Sequence, residues 1–319
     1  MKKENLKKLF SSRKVIVVGD LILDRFIYGS VKRISPEAPV PIVEVIGERS
    51  ALGGAANVAN NIKDLTGKPV LIGVIGEDVF GREFMDVLKA SRIDGANIVW
   101  NKKGATTVKT RVIAHHQQVV RVDREKTAII EKSFQEKLKE RIETNLTSAG
   151  AIVVSDYAKG TFDHEFLSWI GKKAKENRIP YIVDPKPVHF PYPGATIVTP
   201  NRGEAYGFLK KQFTKKTMLG FAKELLSKTG WEAVLLTLGE EGMALYKKGG
   251  KDIELIPARM KEVYDVTGAG DTVVSAVALG LASGLSFKDS ALLANVAASV
   301  VVTKLGTATC SIDELLKNL

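Results

Sequence analysis

Of the 319 residues only one, Cys310, is a cysteine and four are histidines, so neither an intrachain disulfide nor a thiolate-rich zinc site is available. Aromatic residues amount to 7% and are not interleaved with the basic stretches, which argues against a nucleic-acid reader. The longest apolar-rich runs, 273–282 and 296–302, fall well short of the roughly 20 residues that cross a bilayer. No membrane partner is expected. The opening MKKENLKKLFSSRK has no apolar signal core and no small-residue cleavage site, which points to a cytoplasmic protein. The sequence has no GxxxxGK[ST] string and no GxGxxG after a strand, so P-loop and dinucleotide-binding chemistry lack support. The HRD and DFG strings of protein kinases are missing too.

What remains is an ordinary globular composition, 45% hydrophobic and 26% charged, with a formal net charge of +11. Much of the basic surplus lies in residues 1–14 and 102–126. It reads either as solvated surface or as provision for small substrates that carry phosphate. Short β-branched runs at 15–18, 70–74, 151–154, 181–183, 196–198 and 234–238 suit a parallel sheet buried on both faces. Helical patterns at 55–65, 81–90, 131–145, 162–177 and 216–228 lie between most of them, and two small-residue-rich helices follow at 271–282 and 287–304. This alternation predicts an α/β fold, a doubly wound and mostly parallel sheet, in one domain covering 1–319.

One region breaks the rhythm. Strand patterns at 25–31 and 40–46 flank Ser35-Pro36-Glu37-Ala38-Pro39 with no helix between them, and further strands at 106–113 and 118–122 are placed to join them. They predict a small antiparallel β lid within about 25–46 and 106–122. Its apolar residues Phe26, Tyr28, Val40, Ile42 and Val45 need a ligand or a second subunit as cover, so the lid is also expected to form a homodimer contact.

The segment Asp265-Val266-Thr267-Gly268-Ala269-Gly270-Asp271-Thr272 stands just before a helix. Gly268, Ala269 and Gly270 allow close backbone approach, and their N–H groups at a helix start suit a transferring phosphoryl group. Asp271 is placed to accept or orient the proton of an attacking hydroxyl, and the helix dipole is expected to keep it ionised. A Gly-rich turn capped by an Asp is the plainer reading of the same string.

A second motif, Gly53-Gly54-Ala55-Ala56-Asn57, lies far upstream. Together the two resemble the signatures of the ribokinase-like (PfkB) sugar kinase family. GDLILD at 19–24, RISPEAPVPIVEV at 33–45, SDYAKG at 155–160 and DPK at 184–186 look more specifically like the kinase half of ADP-heptose synthase. The resemblance implies ATP-dependent phosphorylation of the anomeric hydroxyl of D-glycero-β-D-manno-heptose 7-phosphate to the 1,7-bisphosphate, toward lipopolysaccharide core heptose. The transferase half of bifunctional members carries HxGH, which does not occur here, so the single-function kinase form is expected. Kinases for another sugar phosphate or a nucleoside share both signatures and remain the alternative, as does a non-catalytic sugar- or nucleotide-binding regulator.

The same resemblance assigns roles. Asp20 matches a carboxylate that grips sugar hydroxyls at the ligand-binding edge of the sheet, and Asp24 is a second candidate or a solvent-facing residue. Gly53, Gly54 and Asn57 match sugar contacts. Asn201, Arg202, Gly203 and Glu204 match an N-x-x-E element beside the triphosphate, with Glu204 holding Mg²⁺ through water, although the string also has the form of a helix capping box. Thr237, Gly239 and Gly242 match a nucleotide-phosphate loop, and Asn295 lies on the helix placed beside adenine. Lys186, Lys159, Arg121, Lys109 and Arg111 are the candidate cations for the substrate's own phosphate. His115 and His116 read as solvated or partner-facing, and a monovalent cation is a further cofactor candidate.

Overall fold

In the computed structural model, which describes residues 3–115, 117–259 and 263–319, the apolar runs become strands of a nine-stranded sheet. The strands are β1 (Lys14–Gly19), β2 (Leu21–Ile34), β3 (Pro41–Gly54), β4 (Lys68–Gly76), β5 (Ile98–Asn101), β6 (Thr107–Ala114), β7 (Gln117–Arg124), β8 (Ala151–Ser155), β9 (Tyr181–Asp184), β10 (Ile197–Val198), β11 (Ala233–Thr237), β12 (Met243–Lys247) and β13 (Glu254–Ile256). The helices are α1 (Lys3–Ser11), α2 (Ala55–Asp64), α3 (Val79–Ala90), α4 (Lys132–Leu146), α5 (His164–Glu176), α6 (Arg202–Leu209), α7 (Met218–Thr229), α8 (Ala269–Ala282), α9 (Phe287–Val301) and α10 (Ile312–Asn318).

The large sheet runs in the order β13-β12-β11-β10-β9-β8-β1-β4-β5, parallel from β11 to β5 with β12 and β13 added antiparallel. Alternation along β1 explains its two covered faces. Val15 and Val17 pack with residues of α2, α8 and α9, whereas Ile16 and Val18 pack with residues of α4, α5 and α7. The doubly wound expectation holds. The basic amino terminus forms α1, an amphipathic helix that sinks Leu6 and Phe10 into the core. No helix among the described residues is long and apolar enough to cross a membrane.

The lid is a second sheet, β3-β2-β6-β7, and it corrects the all-antiparallel expectation. β2 pairs antiparallel with β3, but β6 lies parallel to β2 because the chain returns through α2, β4, α3 and β5 before re-entering the lid. The lid's root is core: Leu23 and Phe26 are buried. Its outer part is not, with Val40 51%, Val45 57% and Ile46 76% exposed.

Candidate active site

Two chain crossings converge at the carboxyl ends of the parallel strands, where the backbone leaves the sheet and side chains meet in the open crevice. α8 begins there at Gly268, whose φ of 80° is left-handed and whose missing side chain matters, since a Cβ would stand 2.8 Å from Asn57 Nδ2. No side chain caps this end. Among the described residues the N–H groups of Gly268, Gly270 and Asp271 find no acceptor, so the helix start keeps open donors and a positive dipole end. The Ala269 N–H differs from expectation: it bonds the Val266 carbonyl at 3.2 Å and is already used.

Asp271, one turn into that crevice, is buried. Asn57 Nδ2 donates to its Oδ2 at 2.7 Å, and the Tyr157 hydroxyl donates to its Oδ1 at 2.7 Å. Asn57 is itself steadied by Asn61, whose Nδ2 donates to the Asn57 carbonyl at 3.0 Å and whose Oδ1 accepts from Thr272 at 2.9 Å. Burial pushes the Asp271 carboxyl up to about 6, against the two hydrogen bonds that favour its charged form. On the sequence, an ionised Asp271 of limited strength as a base is expected; burial instead raises its basicity. A carboxylate titrating near 6 is ionised at neutral pH yet more basic than an exposed Asp, which suits a general base.

Asp20 is also buried, but all its capacity is turned inward. It accepts from the N–H groups of Tyr157 (2.8 Å), Lys159 (3.1 Å) and Thr161 (3.3 Å) and from the Thr161 hydroxyl (2.5 Å). The Asp20 carboxylate thus shapes the 156–161 loop and is not a free grip for sugar hydroxyls. Asp24 is buried rather than solvent-facing and forms a close ion pair with Arg111. Burial holds Asp24 above the ordinary carboxylate range although Arg111 pulls it down. A Cβ on Gly53 would collide with the Asp24 carboxylate, so that glycine is what lets β3 pass.

On the other side of α8, a cavity of about 670 Å³ is lined by Asn201, Thr237, Gly239, Gly242, Ala269, Gly270 and Asn295, among others. Its size falls in the range of about 300 to 1,000 Å³ usual for small-molecule sites. Asn201 and Glu204 do form a capping box at the start of α6. Only one Glu204 oxygen is used that way; Oε1 pairs closely with Lys186. Buried Asp184 lies alongside, its carboxyl well above the ordinary range because of burial and the Glu204 charge. Burial would lower the Lys186 ammonium, but Asp184 and Glu204 outweigh it and hold its pKa above the usual range.

Residues 12–314 match the pfkB family of carbohydrate kinases. This chain belongs to that family. Curated relatives named bifunctional protein HldE are similar to it: one from Helicobacter pylori strain HPAG1 is 41% identical over 95% of this chain, and one from Paramagnetospirillum magneticum is 42% identical over 98%. The chain spans only 65% and 64% of their respective lengths. Among solved structures, Arabidopsis thaliana ribokinase complexed with ribose and ATP superposes with a TM-score of 0.75 at 20% identity, covering 97% of this chain and 99% of that one. Escherichia coli phosphofructokinase-2 in complex with substrates and products gives 0.79 at 20% identity, covering 96% and 97%. At that identity the structures speak for the ribokinase-like fold alone.

Within this pfkB kinase the sequence candidates fall into two groups. Asp24, Gly53, Gly54, Asn57, Gly268 and Asp271 gather on one side of the N-terminal end of α8, and Asn201, Thr237, Gly239, Gly242 and Asn295 line the cavity on the other side of that same end, with Gly270 in its lining. Two others are turned away. The Arg202 guanidinium pairs closely with Glu241 over the Phe213 ring, and Arg121 lies half exposed on β7 against Asp123 (3.0 Å). His115, in the β6–β7 turn, accepts at Nε2 from the Val31 N–H of β2 at 3.2 Å; His116 lies outside the described residues. Tyr157 was missed as a site residue although it sits in SDYAKG, because a phenol in a loop carries no sequence signal for the carboxylate it meets 114 positions away.

Proposed function

We propose that this kinase transfers the γ-phosphoryl group of ATP to the anomeric hydroxyl of D-glycero-β-D-manno-heptose 7-phosphate, with Asp271 as general base. The observation that carries the reading is Asp271 itself, a buried carboxylate titrating near 6 beside unpaired N–H donors at the start of α8. In the step, the sugar O–H gives its proton to Asp271 as the O–P bond forms and ADP departs, while the Gly268 and Gly270 N–H groups face the charge on the moving phosphoryl group. The nucleotide occupies the cavity lined by Thr237, Gly239, Gly242 and Asn295. Glu204, held by the Asn201 N–H and Lys186, would hold Mg²⁺ through water after exchanging the Lys186 contact, with Asp184 nearby, and the ion would neutralise triphosphate charge. The motifs at 33–45, 155–160 and 184–186, together with the HldE relatives, support heptose phosphate over other sugars.

Five cations chosen for the substrate's phosphate are all engaged: Lys186 with Glu204, Lys159 with Glu125, Arg121 with Asp123, Lys109 with Asp123 and Glu125, and Arg111 with Asp24. Lys103 and Lys126 have no carboxylate partner among the described residues, and they line a cavity of about 210 Å³ with Asp20, Lys159 and Thr161. They are the better placed receivers of a distal phosphate. The kinase domain works in the cytoplasm, in a homodimer formed by the exposed lid residues Val40, Val45 and Ile46. ADP release measured over a panel of sugars and sugar phosphates tests the reading. Turnover is expected for the heptose 7-phosphate; activity on ribose or fructose 6-phosphate with none on the heptose phosphate overturns it.

A further inference from the structure

We propose that Tyr157 is a positioning residue for phosphoryl transfer: its phenol, fixed by the 156–161 loop, holds the Asp271 carboxylate in the orientation from which it takes the sugar proton. This rests on the reading of Asp271 as base. Three observations converge on Tyr157. Its hydroxyl donates to Asp271 Oδ1 at 2.7 Å, while Asn57 occupies Oδ2 at the same distance. One donor on each oxygen fixes the carboxylate plane and leaves a lone pair on each oxygen free to accept. Its own N–H donates to Asp20 at 2.8 Å, and Asp20 also ties down Lys159 and Thr161, so the loop that carries the phenol is anchored to the end of β1. Its ring lies 5.4 Å from Lys186 Nζ, the cation at the Asp184 and Glu204 edge of the site. One side chain therefore links the base, the loop and the phosphate-side cation.

The phenol keeps its own proton. Burial and the neighbouring Asp271 charge raise its pKa well above the ordinary tyrosine value, so it acts as a donor only. The charged groups around Asp271 are Asp24 on β2, with Arg111 of β6 paired to it, Asp184 on β9, and Lys186 following β9. Asp24 raises the Asp271 pKa and Lys186 lowers it, and the Asn57 and Tyr157 hydrogen bonds lower it too. Loss of the phenol therefore moves Asp271 upward from about 6, and the acid limb of the rate profile moves with it.

Tyr157→Phe keeps the ring and removes only the donor. It is expected to lower kcat about tenfold, to leave KM for both substrates within about twofold, and to shift the acid limb of kcat/KM up by about half a unit to one unit. Replacing Tyr157 with 3-fluorotyrosine, a stronger donor of the same shape, is expected to move the limb the other way. In an Asp271→Asn background, Tyr157→Phe should cost less than about twofold further in kcat. A normal kcat with an unmoved limb overturns the proposal, as does a raised sugar KM without a limb shift, or a full second loss in the Asp271→Asn background. If Asp271→Asn alone keeps turnover within about tenfold, the base reading itself has failed. An inactive Asp271→Asn with an unaltered Tyr157→Phe sinks only the positioning role.

Discussion

The two sides of the N-terminal end of α8 are built from different material. On the side of the proposed nucleotide site the recognisable parts are backbone and small residues, Gly239, Gly242, Ala269 and Gly270, around a preformed cavity. Beneath the lid the parts are charges, and nearly all of them are already matched: Asp24 with Arg111, Lys109 with Asp123 and Glu125, Lys159 with Glu125. A shape can receive its ligand without rearrangement, whereas a paired charge network must exchange partners when an anionic sugar arrives. The difference teaches that, on the proposed reading, nucleotide recognition would be a matter of space, and sugar recognition a matter of competition between carboxylates and substrate oxygens.

The comparison breaks most visibly at the base that both halves share. Asp271→Asn is expected to lower kcat by about 10² to 10⁴ while nucleotide affinity, read by calorimetry, stays within about twofold. The same variant should be the more stable protein at neutral pH. A carboxyl raised from 3.8 to about 6 binds its proton more tightly folded than unfolded, so stability falls as pH rises through that window and the full cost persists above it. Asn carries no such cost, and denaturant unfolding at pH 8 should show a gain of about 1 to 3 kcal/mol that vanishes near pH 4.

Arg111→Met tests the charge network. It strands Asp24 in a buried setting, and a loss of about 3 kcal/mol is expected at pH 8, smaller at pH 5 as Asp24 takes up a proton. Asp24→Asn in the same chain should recover part of it. Gly242→Ala tests the shaped side. At φ 92° its Cβ would run into the Ile256 carbonyl, and a rise of about tenfold in KM for ATP with an unchanged sugar KM is expected. The smallest effect belongs to the unpaired cations. Lys103→Ala with Lys126→Ala should raise KM about fivefold to tenfold for a phosphorylated sugar, less at high salt, and leave an unphosphorylated sugar unaffected.

The shaped side was also the legible side. Thr237, Gly239, Gly242 and Asn295 follow local patterns, a strand end, a turn, a helix, and all of them line the one cavity of about 670 Å³. The parallel sheet was readable for a similar reason, since runs such as Val15 to Val18 report burial on both faces directly. The paired side was much less so. That Asp20 would spend its carboxylate on the N–H groups of Tyr157, Lys159 and Thr161, or that Lys159 would meet Glu125, depends on residues far apart in sequence whose partnership only the fold decides. The strands β5 and β13 escaped notice as short strands at the two sheet edges, and β12, which pairs with β13, was not noticed either. The lid's mixed pairing escaped too, because strand direction is set by the path between β2 and β6 rather than by either strand's residues.

β2 is one continuous strand of 14 residues that begins among core side chains and ends in the exposed lid. Its pairing with β3 slips in register between Tyr28 and Gly29 and again between Val31 and Arg33. Asp24 lies on the core side of both slips. Mechanically the strand is a lever whose stiff arm carries the sugar-side carboxylate and whose bend points lie farther out. Any swing of the lid tip can thus be taken up beyond Tyr28, and the Asp24 end of the strand does not have to move with the tip.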